Sequence, residues 1–575
     1  MCFHWFGSVT QDDSCHFGPL AVIGPLLEQM GVADIIDRHL PADSQAEYAY
    51  GPLLRLLIAA RLSNPVALVN VADWAENSGA EFLWNIPAEK LNDDRLGRAL
   101  DAFYYQRHSI LANIALHVAE VFDIRLERLH YDPTHIAFQG DYARSQPRAD
   151  PALDLLRPYA GDPPAHITFG HAAPNTKIIH AGICMAIDDQ GAVPIFGHAT
   201  DGNHNGHTAI AEQFDLLQEH LPLRRVLMVS DRGTFSAGHV ARCQREGFAV
   251  LCSAPWNDYR SLYDAHRSQL HWRQASYLSL EQQRRRTCAS TLPLEHYQLA
   301  VLHHHLIDPD TAAPMPCRVI FVHSTADAKV SCATRAKTVA KLTAGLDKIA
   351  RSVREGRRYT SPADVARRVT KLFGKRAAAN YFHWELQPLT AVEQATLPPP
   401  GRGCRRPTHH LVYRYDAAAA EAEARHDGLS VLVTTAPRTQ SADLLFSQFK
   451  QQNELELSHH QWKTPLAVHP IFLKNPRRVE ALVHLLLIAL MGYHLIQRRY
   501  RQRVELDAPV TEKRTTTETI LRAFQRYTVR IERRPYGRVV HVNRLSARQR
   551  HILQRLNFPT PARVLSTKLP HPLRP

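Results

Sequence analysis

The sequence predicts an α/β protein. A mixed sheet with helices returned onto it is preceded by a helical domain, interrupted by an α+β insertion and followed by a small basic module. Three observations predict this. Arg225–Ser236, RVLMVSDRGTFS, runs from a short apolar strand into an acid, a turn and a helix cap. Two apolar runs, Lys177–Ile187 and Ala192–His198, are split by Asp188-Asp189-Gln190-Gly191, the pattern of a hairpin. The residues before these runs are patterned as helices, and those after Gln497 carry the whole excess of positive charge.

At 575 residues the chain exceeds what one core organises, so about three or four domains are expected. Nothing at the N-terminus pairs a basic start with a long apolar run, so a cytoplasmic protein without a membrane partner is expected. Val479–Ile496, the longest apolar stretch, holds Glu480 and His484 and follows Asn475-Pro476, a cap and first-turn proline; it reads as a buried helix. The nine cysteines form no CxxC pair, which argues against a thiolate zinc module and fits a reducing compartment. The 34 histidines include His303-His304-His305, but neighbours in a strand alternate faces and cannot converge on one ion. These histidines are read as incidental.

The net charge is +14. From Gln497 onward there are nineteen Lys or Arg against five Asp or Glu, and the other fifty basic residues are balanced by fifty acidic ones. A localised basic excess is an electrostatic footprint for a polyanion, most often nucleic acid. Apolar residues at structural spacing within it argue for a folded module rather than a solvated tail.

In chain order, residues 1–124 read as a helical domain, with helices at Leu20–Met30, Val32–Leu40, Pro52–Leu62, Asp93–Tyr105 and Ser109–Phe122. Asn92 is placed to cap the fourth. Residues 125–254 read as the first part of the sheet. A strand at Arg125–Asp132 ends at a Pro133-Thr134 turn, and an irregular loop follows over Ile136–Ala160. Then come the hairpin, a helix near Thr208–His220, the Val226–Val229 strand ending in Asp231, a helix capped by Ser236, and a strand at Phe248–Ser253. Trp256 follows that strand, either as a core residue or as a platform for an extruded base.

Residues 255–435 read as the insertion, with strands at Tyr297–His304, Arg318–His323, His410–Tyr415 and Ser430–Thr435 around basic helices at Thr334–Glu355 and Ser361–Phe373. Residues 436–500 return to the core. One long helix, Ala442–Trp462, puts Phe449, Gln452, Glu456 and Lys463 on one face. Residues 501–575 form the basic module, read as helix Glu518–Arg526, strands Tyr527–Ile531 and Val539–Val542, and helix Ala547–Leu556; Thr515 and Glu518 suggest a capping box.

Asp132, Asp231 and Glu456 stand out as two strand-end acids and one acid on a helix expected to pack on the sheet. Three carboxylates are hard oxygen ligands that suit Mg2+. A pair of such ions supports in-line phosphoryl transfer.

The motifs HYDPT around Asp132, GHAAPNTK at Gly170–Lys177, DGN at Asp201–Asn203, VSDRG around Asp231, DGLSVLVT at Asp427–Thr434 and FKQQNELELSHHQWK at Phe449–Lys463 occur in this order. With GPLLRLLIAARLSNP and LNDDRLGRALDAFYY near the N-terminus, the chain resembles, over nearly its whole length, bacterial insertion-sequence transposases of the DDE class. The branch is the one with a β-rich insertion before the last acid. The resemblance implies an RNase H-like core in which Asp132, Asp231 and Glu456 are the catalytic, metal-binding acids, with Mg2+ as cofactor and Mn2+ as a substitute. It implies double-stranded DNA as partner, both transposon ends and target, and a homodimer in the synaptic complex. The branch signature Y-(2)-R-(3)-E-(6)-K, counted from Glu456, matches at Lys463 but meets Gln452 and Phe449 where Arg and Tyr stand. Glu454 is the rival third acid, and the register of Lys463 favours Glu456. Lys463, Lys177 and Arg232 are the expected phosphate contacts. The two altered positions leave open a transposase-derived DNA-binding protein or repressor. A nuclease acting on other nucleic acids is a third reading.

Overall fold

The computed structural model describes residues 12–41, 46–142, 145, 163–170, 173–204, 206–278, 296–356, 361–397, 399, 402, 405–505, 508–534 and 537–568. Most of the loop expected over Ile136–Ala160 lies outside them.

A short strand, β1 (Asp12–Cys15), precedes α1 (Leu20–Gln29), α2 (Val32–His39), α3 (Tyr50–Ser63), α4 (Val71–Ser78), α5 (Ala80–Trp84) and α6 (Asp93–Val121). The two helices expected over Asp93–Phe122 are one, because Gln106-Arg107-His108 carries no Gly or Pro to break it. Asn92 caps it, accepting from the Arg95 amide at 2.8 Å.

The sheet begins with β2 (Arg128–Phe138), β3 (Thr168–Gly170), β4 (Ala173–Asp188) and β5 (Gly191–Asp201). Next come α7 (Gly206–His220), β6 (Leu227–Ser230), α8 (Ala237–Arg245) and β7 (Ala249–Ala254). β4 pairs antiparallel with β2 along one edge, and β3 and β5 share its other edge. β6 joins β2 in parallel, and β7 joins β6 in parallel. The Ser236 hydroxyl caps α8, accepting from the His239 amide at 3.1 Å. One expectation is corrected: Pro133-Thr134 is no turn, and β2 continues through both residues. The ladder to β6 ends at Tyr131, so Pro133 falls where that side of β2 has no β6 partner, and an edge tolerates a missing N–H.

Then follow α9 (Trp256–His266), β8 (Arg273–Gln274), β9 (Tyr297–Ile307), β10 (Pro314–Ser324), α10 (Thr325–Arg354) and α11 (Pro362–Phe373). After them come β11 (Phe382–Pro388), α12 (Ala391–Thr396), β12 (His409–Tyr415), α13 (Ala417–Ala424) and β13 (Leu429–Thr434). The stretch expected to stand apart as an insertion is divided. β13, β10, β9 and β8 extend the large sheet, whose order is β3-β4-β2-β6-β7-β13-β10-β9-β8. Among the described residues, α10, α11, β11, β12 and α13 form a body with a core apart from that of the sheet. Its core joins Leu342, Leu346, Val365, Val369, Phe382 and Leu411, and β11 and β12 make their own hairpin. His303 and His305 are exposed while His304 is half-buried, so the run does alternate faces.

The helix expected over Ala442–Trp462 is two helices, α14 (Ala442–Lys450) and α15 (Asn453–Lys463). α16 (Pro476–Gln502) is long and apolar enough to cross a membrane, yet its whole apolar window is buried inside the protein. It packs against α3, α6 and β5. Each fully buried Leu or Ile there contributes about 1.5–3 kcal/mol. Asn475 caps it, accepting from the Arg477 amide at 3.0 Å.

The last elements are α17 (Val510–Lys513), α18 (Thr517–Arg522), β14 (Val529–Arg534), β15 (Gly537–Val542), α19 (Ala547–Leu556) and α20 (Pro561–Lys568). Thr516, not Thr515, caps α18. The basic segment is tied to the start of the chain: β14 pairs with both β15 and β1 in a three-stranded sheet, with Asp13 opposite Ile531.

Candidate active site

The parallel ladder between β2 and β6 ends on the pair Tyr131–Ser230. Asp132, within β2, and Asp231, the residue after β6, come next. Neighbouring strands lie about 4.8 Å apart, and equal register gives equal side-chain direction, so the two acids stand side by side where the β2–β6 ladder stops. Asp231 is fixed by the turn that follows. Its Oδ1 accepts from the Gly233 amide at 2.9 Å, and the Thr234 hydroxyl donates to its carbonyl at 3.0 Å. A Cβ on Gly233 would sit 3.3 Å from that Oδ1, which favours glycine there.

The third side of the site is α15. Gln452, at its start, clamps it to β2: Nε2 donates to the Tyr131 carbonyl at 3.1 Å, and Oε1 accepts from His130 Nδ1 at 3.0 Å. Burial pushes the His130 imidazole down to about 3, so the ring is neutral and donates through Nδ1. Glu456, His459 and Lys463 follow at spacings of four, three and four, which is one helical face. Leu455, Ser458 and Trp462 are buried on the other. His459 Nδ1 lies 3.5 Å from Asp132 Oδ2.

The electrostatics show that the acids share one field. Asp132 is pushed up to about 7, first by burial, then by the charges of Asp231 and Glu456, with Lys463 opposing. Lys463 is pulled down by burial, against the attraction of Asp132. Glu454 belongs elsewhere: burial raises its carboxyl, and the opposing charge is Arg501, near the end of α16. The structure thus separates the two candidate acids of α15 and turns Glu456 toward Asp132.

Phe449 lies on α14 and packs against the core cluster containing Leu227 and Val229, so it does not share a continuous face with Glu456 and Lys463. The cause is the break at Gln451-Gln452, where the Gln452 side chain is drawn to β2. Lys177 is not brought to the site. It pairs with Phe138, six residues along β2 from Asp132, which is about 20 Å, and its ammonium lies 3.3 Å from Asp141. Arg232 follows Asp231 and is exposed. Trp256 opens α9 half-buried, its ring 5.5 Å from both Tyr263 and His426. Sequence reasoning missed His459 and the Gln452 clamp. The spacing of His459 from Glu456 and Lys463 was the available signal.

Three carboxylates whose field on Asp132 is opposed only in part by Lys463 are a donor set that fits hard divalent cations. Among the described residues, His108, His198 and His484 are the group of three whose ligand atoms all lie within 4.8 Å of one another.

A family model described as a domain of unknown function, DUF4277, matches residues 14–116, from the end of β1 into α6. Comparison with curated proteins gives no match.

Proposed function

We propose that the chain is a DDE-class transposase, acting on double-stranded DNA with Asp132, Asp231 and Glu456 as its catalytic acids on an RNase H-like core. The observation that carries this reading is the placement of Asp132 and Asp231 side by side where the parallel β2–β6 ladder stops, with α15 turning Glu456 and Lys463 toward the same carboxyl. The three acids would hold Mg2+ or Mn2+, which supplies Lewis-acid stabilisation to the attacking and leaving oxygens of an in-line phosphoryl displacement. Lys463 neutralises part of the acid field and offers a cation to a DNA phosphate. His459 sits against Asp132 and restricts its rotamer. Gln452 fixes the helix that carries both. The basic C-terminal segment would grip backbone phosphates with strong salt dependence. The N-terminal match supports the reading, since that domain commonly stands at the N-terminus of transposases. Function as a dimer at paired ends, in the cytoplasm, belongs to the same proposal.

The test is cleavage and strand transfer of DNA carrying the repeats that flank the gene, with Mg2+ or Mn2+. Activity in the wild type and its loss in Asp132→Ala and Asp231→Ala is the expected result; full activity in either variant overturns the assignment. A second reading is a repressor that binds ends without cutting them. It is favoured by the commitment of Gln452 to β2 and Phe449 to the core, which leaves neither to contact DNA. End binding without cleavage under either cation would establish it.

A further inference from the structure

Away from the acids, α6, β5 and α16 meet at a cluster of imidazoles. His108 is 8% exposed, His198 4% and His484 0%. One ring nitrogen of each lies within 4.8 Å of those of the other two. His198 Nδ1 and His108 Nε2 are 3.2 Å apart. A tetrahedral zinc site with Zn–N bonds near 2.0–2.1 Å has N···N edges of about 3.3 Å, so this pair already stands at a ligand spacing.

The outer nitrogens are oriented as those of metal ligands are. His484 Nδ1 lies 2.9 Å from the Glu480 carbonyl, which can only accept. That bond puts the proton on Nδ1 and the lone pair on Nε2. His198 Nε2 lies 3.3 Å from a Glu212 carboxylate oxygen, which likewise puts the proton on Nε2 and the lone pair on Nδ1, toward His108. A carbonyl or carboxylate holding the remote N–H is the usual support of a metal-binding imidazole. Arg107, the residue before His108, is matched by Glu480, with Nη2 2.8 Å from Oε1.

We infer that His108, His198 and His484 form a buried site for a borderline transition-metal dication, Zn2+ by preference, that ties the N-terminal helices to the central sheet. Three imidazoles supply three nitrogens and leave a fourth position for water. Binding requires His108 to carry its proton on Nδ1 instead of Nε2, with no net proton release. The site stands on different residues from the acids, and its role is to fasten α6 to β5 and α16 whatever reaction the acids perform.

The test uses tag-free full-length protein stripped with a chelator. Co2+ is expected to bind at one equivalent with the intense visible absorption of a tetrahedral nitrogen site, and Zn2+ to displace it and raise the melting temperature by several degrees. The triple variant Asp132→Ala, Asp231→Ala, Glu456→Ala keeps the band. His484→Gln loses it, with affinity down by roughly 100-fold or more. X-ray absorption at the zinc edge of the wild type, which needs no variant, is expected to show about three imidazoles. A sulfur-containing or oxygen-only shell, no Co2+ band with no thermal shift, or a band that survives His484→Gln overturns the inference.

Discussion

Two polar clusters in this molecule are built in opposite ways. Where the β2–β6 ladder stops, Asp132 is driven up to about 7 by burial and by the charges of Asp231 and Glu456. At the seam of α6 and α16, Arg107 and Glu480 are more deeply buried, with side chains 4% and 1% exposed, yet their charges are matched. Arg107 Nε reaches Glu480 Oε1 at 2.9 Å, its Nη1 donates to the Tyr104 carbonyl at 2.8 Å, and Glu480 Oε2 accepts from the Ala165 amide at 2.6 Å. The balanced cluster locks helices together. The unbalanced one holds an unfavourable charge arrangement that a cation would relieve. A buried charge is tolerated when its partners are part of the fold, and becomes a functional candidate when they are not.

The contrast can be broken at either end. The largest effect is expected at the acids: Asp231→Ala should lower metal-dependent DNA cleavage on the order of 10³-fold or more while leaving the circular dichroism spectrum unchanged. A drop of less than tenfold would remove Asp231 from the chemistry. At the seam, Glu480→Ala strands a buried guanidinium and should cost about 3–5 kcal/mol in denaturant unfolding. Replacing Arg107 and Glu480 together by Met and Leu should recover much of that loss, and no recovery would mean that the pair is not the unit.

A third experiment reads the strain directly. Unfolded, the Asp132 carboxyl ionises near 3.8; folded, it does so near 7. Between those values the folded chain keeps a proton that the unfolded chain has lost, so this group lowers stability as pH rises through the window. Metal-free Asp132→Asn should therefore be more stable than wild type at pH 8, by roughly 4 kcal/mol, and nearly equal to it at pH 4. The opposite ordering at pH 8 would show that Asp132 is favourably paired. The smallest effect is expected at the clamp. Gln452→Ala removes two hydrogen bonds and should cost about 1–2 kcal/mol. It should also weaken Mg2+ binding roughly tenfold by loosening α15, as calorimetry would measure.

The sequence by itself determined the local parts of this protein. The caps at Asn92, Ser236 and Asn475, the hairpin from Lys177 to His198 and the strand leading to Asp231 each rest on side-chain and backbone interactions a few residues long, and residue order specifies those directly. Helix α16 was legible as buried because its apolar run is interrupted only by groups that need partners. The tertiary structure decided everything that depends on register between distant segments. It carried β2 through Pro133, because β6 stops one residue short of Asp132. It drew β8, β9, β10 and β13 into the large sheet, and joined β1 to β14 across almost the whole chain. It broke the helix at Gln451-Gln452 because the Gln452 amide bonds to β2, which turns Glu456 and not Glu454 toward Asp132. It also brought together three histidines that no spacing motif connects. A strand's partners and a cluster's members are chosen by long-range packing, and their sequence separation carries no signal of it.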